Sequence, residues 1–178
     1  MRVIILLFFF LSCAPDSPLS DNNTYFDTKT FFEEQISQLS QKHVHLVKEL
    51  LFNGKKELFS SDSINWKKEL EAFVSVDLLK SSYRGRFNKD SINLNQEGYV
   101  IIYNANDKNV DLKGVKIYFD RSKAVKSIEY DMGKNNTIYE SGKRLYFSVD
   151  SGYSISGRQN VKLTQGVIYQ VNARIVHL

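Results

Sequence analysis

What this chain lacks narrows its chemistry before any motif is read. Among 178 residues there are one cysteine, Cys13, one tryptophan, two prolines and three histidines. A lone cysteine cannot form an internal disulfide, so the fold rests on burial of a core rich in Phe and Tyr. Gly152, Gly157 and Gly166 stand singly, which leaves no phosphate-cradling loop. Ser151 and Ser156 lack a glycine on both sides, the frame of a nucleophile elbow, and read as turn or bulge residues. Long runs of one charge are missing too. Lys and Arg number 24 against 20 Asp and Glu, and Lys55-Lys56, Lys67-Lys68 and Lys143-Arg144 are interspersed with Glu57, Glu69 and Glu140. That spacing describes solvated faces and gives nucleic acid no basic stripe to follow. Glu33-Glu34 and the pair Asp90 and Glu97 sit among polar residues and read as solvent-facing. No cofactor and no catalytic constellation emerge, and the chain reads as non-catalytic.

The long apolar run is at the start. Arg2 precedes Val3 to Leu11, a stretch of signal-peptide length, short of the about 20 residues a membrane-crossing helix needs. Directly behind it, Phe10-Leu11-Ser12-Cys13 resembles the lipobox of bacterial lipoproteins, with Phe10 where Leu or Val is usual. The resemblance implies cleavage before Cys13, acylation of its sulfur by chains such as palmitate, and anchorage in a bacterial cell envelope. It also accounts for the odd cysteine, because acylation consumes a thiol that would otherwise enter an oxidising compartment free. Two acyl chains hold a protein on a membrane stably where one does not. By the same resemblance, Ala14 in place of a retention Asp favours the outer membrane. The periplasmic and the surface face both stay open. Residues 14–24 carry Pro15 and Pro18 among small polar residues and read as a tether. The expected organisation is a signal peptide over 1–12, the lipidated Cys13 with its tether over 13–26, and one domain over 27–178.

Within that domain the hydrophobic period changes from helical to strand-like. Thr28 or Thr30 can cap a first helix, with Glu33 at capping-box spacing, and Phe32, Ile36 and Leu39 give one apolar face to about Gln41. Residues 43–60 can continue that helix, but Asn53-Gly54 between two apolar runs is a hairpin signal, and strands near 44–52 and 55–60 are preferred. Trp66, Leu70, Phe73 and Val76 or Asp77 space a second helix, capped by Asp62 or Ser63, with Trp66 a core residue. From Tyr83 onward seven runs of period two follow: 83–87, 99–103, 112–119, 125–130, 138–149, 153–163 and 167–176. Their short connections make the sheet antiparallel. The predicted fold is α+β: two N-terminal helices with an intervening NG hairpin, packed on a curved antiparallel sheet of about seven strands.

This order, with NWKKELEAF as its most specific stretch, resembles a group of uncharacterised Bacteroidota lipoproteins over nearly the whole mature chain. The resemblance carries no activity and no functional residues. A curved sheet under helices is also similar to the outer-membrane lipoprotein carrier fold, which implies an acyl-chain or other apolar-ligand carrier as the alternative function. The leading expectation is a binding or scaffolding module with an envelope protein as partner. Asp62-Ser63-Ile64 and Asp90-Ser91-Ile92 resemble the Asp-Ser/Thr-apolar acceptor for O-glycosylation of exported proteins in the same bacterial group, which marks Ser63 and Ser91. Helix capping and a loop explain the two stretches equally well. His43 and His45 would share one side of a strand and are the metal-ligand candidates, with His177 far off near the C-terminus and no acid paired to them. The eight tyrosines of the strands, Tyr139 and Tyr169 among them, suit an amphipathic sheet and could line a carbohydrate or lipid groove; packing is preferred.

Overall fold

The computed structural model describes residues 25–162 and 165–177. Helix α1 spans Thr28–Gln41 and is followed by a hairpin of β1 (Val44–Phe52) and β2 (Lys55–Ser61). Asn53 and Gly54 both take positive φ, 46° and 83°, the twist that lets a two-residue turn match its strands. Two one-turn helices come next, α2 (Trp66–Glu69) and α3 (Glu71–Val74). Seven more strands complete the chain: β3 (Phe87–Asn93), β4 (Tyr99–Ala105), β5 (Leu112–Phe119), β6 (Val125–Asn135), β7 (Tyr139–Ser148), β8 (Gly152–Val161) and β9 (Val167–His177).

The fold is mostly antiparallel sheet with few helices, an α+β arrangement, and it corrects the expected strand count. The hairpin is not separate from the meander. β1 pairs with β9 along its whole length, from Val44 with His177 to Phe52 with Tyr169, so one sheet holds nine strands in the order β2-β1-β9-β8-β7-β6-β5-β4-β3. The run expected as a first strand at 83–87 is a 3₁₀ turn, Ser81–Tyr83, and the strand begins at Phe87.

The helix starts also differ from expectation. Asp27 caps α1: its carboxylate accepts from the Thr30 amide and hydroxyl, each at 2.9 Å. Thr28 is instead fully buried and donates its hydroxyl to the Val76 carbonyl at 2.7 Å, tying α1 to the end of α3. The second helix is capped by Asn65, whose side chain accepts from the Lys68 amide. Asp62 is engaged with His45, and the Ser63 amide donates to Ser61 Oγ, so neither serves as the cap. The expected single helix breaks at Leu70 (φ −100°, ψ 10°), where the chain turns to seat both Leu70 and Phe73 in the core.

Tyr25 and Phe26, assigned by sequence to the end of the tether, belong to the packed domain. The Tyr25 hydroxyl accepts from the Phe87 amide at 3.2 Å, and the Tyr103 hydroxyl accepts from the Phe26 amide at 3.1 Å. The core lies between the helices and one face of the sheet. Phe32 is its centre, fully buried with ring contacts to Phe31, Phe73, Tyr130 and Phe147. Trp66 is buried as expected. Gly152 is required where it stands: at φ 124° a β-carbon would meet the Ala173 carbonyl oxygen of the neighbouring strand at 2.2 Å.

Two substitutions test this packing by urea denaturation. Phe32→Ala removes a ring from a site with no room to collapse and should cost about 3–5 kcal/mol. Tyr130 is buried, and its hydroxyl has no hydrogen-bond partner in reach among the described residues. Tyr130→Phe should therefore leave stability unchanged or raise it by up to about 1 kcal/mol; a loss would contradict the assignment.

Candidate functional site

The strands reach further than the helices that cover them. On the inner face, burial is complete at Leu46, Tyr130, Leu145 and Phe147 and then ends. The next inner positions along the strands are Leu50 and Phe52 on β1, Val171 and Tyr169 on β9, Ile155 and Gly157 on β8, Lys143 on β7 and Met132 on β6. Phe52 is 48% exposed, and Lys143, Met132, Val171 and Tyr169 are half-buried. This end of the inner face is a sheet surface left exposed.

A recess of about 270 Å³ opens there, lined by Met132, Tyr139, Ser141, Lys143, Gln159 and Tyr169, with the paired side chains of Asp111, Lys134 and Arg158 at its margin. Register brings these residues together: Lys143 lies opposite Met132 on one side and Gly157 on the other, and Gly157 lies opposite Tyr169. The phenol end of Tyr169 rests on Gly157, where a β-carbon would stand 2.4 Å from the ring. Tyr139 lies near enough to raise the Tyr169 phenol above its ordinary value, added to the larger effect of burial. Lys134 reaches Asp111 at 3.8 Å and Arg158 reaches Glu140 at 2.9 Å. Lys143 has no carboxylate within ion-pair distance among the described residues, and desolvation holds its ammonium below the usual lysine value.

Other polar clusters are satisfied internally. Glu69 on α2 accepts from Lys48 of β1 at 2.7 Å and from the hydroxyl of Tyr153 on β8. Burial first, then this bond and the Glu69 charge, push the Tyr153 phenol far up. The three side chains clamp the helix to two strands. On the outer face of the sheet, Arg144 lies 3.7 Å from Glu129 beside a smaller hollow of about 140 Å³. The groove between α1 and the α2–α3 pair is larger, about 730 Å³, with Ile36 and Val74 between the mixed charges of Glu33, Lys67, Lys68 and Glu71.

Cys13 lies outside the described residues. His43 is exposed immediately before β1, and His45 is on the strand. His45 Nδ1 is 2.5 Å from Asp62 Oδ1 on the outer face. Among the described residues no group of three His, Cys, Asp or Glu converges on one point. Ser63 is exposed in the turn before α2, and Ser91 is exposed on the edge strand β3. Sequence reasoning treated Lys143-Arg144 as a solvated pair, which holds for Arg144 alone. The missed signal was parity: Lys143 shares its side of β7 with Leu145 and Phe147. No protein-family model and no curated protein matches this chain.

A desolvated, unpaired ammonium works against the fold. Lys143→Met should raise the melting temperature, by a free energy of at most about 1 kcal/mol because solvent screens a half-exposed charge. Since the native state lowers this pKa, the unfolded chain binds the proton more tightly. The penalty is fully present below the lowered native value and lifts as pH rises from there toward the ordinary lysine value. The stabilising effect of the substitution should accordingly shrink across that alkaline window, and thermal melts of both proteins at neutral and alkaline pH would show it.

Proposed function

We propose that this protein is a lipid-anchored component of a bacterial cell envelope that acts by binding and not by catalysis, with the open end of the inner sheet face as its binding surface. The observation that carries the reading is the contrast along that one face. One end is sealed by the rings of Phe32, Phe73 and Phe147 together with Leu70 and Leu145, all fully buried, and the other end is left uncovered around an unpaired lysine. A catalytic site gathers polar groups that are free to act, whereas the Lys48–Glu69–Tyr153 cluster is occupied in joining helix to sheet.

The anchor is the acylated Cys13 and the leash is the segment after it, as the lipobox resemblance implies, with the outer membrane as the favoured site and an envelope protein or glycan as partner. No helix among the described residues is long and apolar enough to cross a membrane. Ser63 and Ser91, both exposed, are the residues this reading offers for O-glycosylation. The second reading, an apolar-ligand carrier, draws on the groove between α1 and the α2–α3 pair, whose volume is that of a ligand pocket. Against it, the space that a carrier keeps open between helices and sheet is filled by aromatic side chains.

Expression of the full chain in a bacterial host checks the anchor. The wild type should sediment with membranes and incorporate labelled palmitate, and Cys13→Ser should lose the label and move to the soluble fraction. Equal membrane retention of both forms would overturn the lipid anchor. Native mass spectrometry of the detergent-extracted protein should show no tightly held lipid beyond the attached acyl chains; a stoichiometric lipid would favour the carrier.

A further inference from the structure

We infer that the recess around Lys143 is a binding site for a uronic acid, a sugar ring bearing one carboxylate. The inference rests on the reading of the open end of the inner face as a binding surface and names its ligand. Charge comes first. At the recess two cations, Lys134 and Lys143, stand against one carboxylate, Asp111, which Lys134 engages at 3.8 Å, while Arg158 is engaged by Glu140 on the outer parity of β7 and β8. One positive charge is left over, on Lys143, and it sits half-buried in a hollow among groups that offer it no counter-charge. A single surplus ammonium matches a monoanion. A phosphate or sulfate ester of higher charge is met by several donors, commonly from Arg or a helix N-terminus, and no helix ends here.

Size comes second. At about 270 Å³ the recess lies just under the range of about 300–1,000 Å³ that holds drug-sized ligands, so it admits one ring and not a chain of them. The ring continues outward, since the recess is open to solvent, and the same unit can be free or the end of a polysaccharide.

The character of the walls comes third. An aromatic or aliphatic acid asks for apolar walls throughout. Here Met132 and the faces of Tyr139 and Tyr169 supply apolar surface, while the Ser141 hydroxyl, the Gln159 amide and both phenols supply donors and acceptors around it. A sugar ring has that division: apolar C–H faces, a rim of hydroxyls and, in a uronic acid, one carboxylate for the lysine. Gly157 is part of the construction, because with no side chain it lets the Tyr169 phenol lie down on the strand beside Lys143 instead of standing away from it.

The test is calorimetric titration of the full-length protein in detergent with glucuronate, galacturonate, glucose, galactose and acetate. At least one uronate should bind, about tenfold or more tightly than its neutral parent sugar and than acetate. Lys143→Met should weaken uronate binding about tenfold or more, and Lys143→Arg should restore part of it. Absence of binding by both uronates overturns the inference, as does equal binding of the neutral sugar, which would remove the carboxylate from the argument, or equal binding of acetate, which would reduce the site to a simple anion hole. Uronate binding that survives Lys143→Met unchanged overturns it as well. The uronate preference of the wild-type protein decides the matter even if a variant folds poorly. Failure of the titration while crosslinking still captures an envelope partner at the open face would remove the sugar and leave the binding surface standing; failure of the palmitate label would remove the anchor and leave the recess untouched.

Discussion

The pairing of β1 with β9 is the constraint on which the rest of this structure depends. Nine residue pairs join strands from opposite ends of the domain, from Val44 with His177 to Phe52 with Tyr169. Without that seam the hairpin would be a two-stranded ribbon, marginal in water by itself. With it, the inner positions of β1 line up beside those of β9 and β8. Lys48 comes to stand opposite Ala173, which itself stands opposite Tyr153, and both long side chains meet Glu69 of α2. The clamp that holds the helix layer in place is therefore a product of a contact more than a hundred residues apart in sequence. Such closure carries an entropic cost and makes the fold topologically non-local.

Several local signals in the sequence match the structure, though not every cap: Asn65, and not Asp62 or Ser63, caps α2. The bounds of β1 and the Asn53-Gly54 turn follow from a two-residue loop that only residues tolerant of positive φ occupy well. The end of α1 at Gln41 and the burial of Trp66 follow from periodicity. Other expectations failed through tertiary contact. Thr28 has the chemistry of a cap, yet it lies where its hydroxyl can reach Val76 on another element, and Asp27 caps instead. The helix from Asn65 onward breaks because Leu70 and Phe73 both enter the core from a segment too short to turn both inward while remaining straight. The join of hairpin to meander has no local signature at all.

The candidate site shows the same division more sharply. Alternation places Lys143 on the inner side of β7, but whether an inner side is dry depends on how far the helices extend across it, and that length is not written in the strand. Lys143 lies one step beyond Leu145, at the line where helix cover stops. The same change occurs on β8 between Tyr153, which is buried, and Val161, which is 37% exposed on the same parity. The tyrosines divide along this line: Tyr103, Tyr130 and Tyr153 serve as core, and Tyr139 and Tyr169 frame the recess. One residue type thus does two jobs in one sheet, and only the position of the helix layer separates them.

The fastening of Tyr25 has a mechanical consequence. The chain enters the domain at Tyr25 and Phe26, which are bonded to Phe87 and Tyr103 on β3 and β4, and Asp27 then caps α1. Any pull transmitted through the preceding residues is delivered to that margin of the sheet. The recess draws its lining from β6, β7, β8 and β9, and β6 is two strands from β4, on the order of 10 Å. Tension on the entry point would strain the β3–β4 border first while the far border keeps its shape, so a load-bearing end and a ligand-holding end can share one sheet.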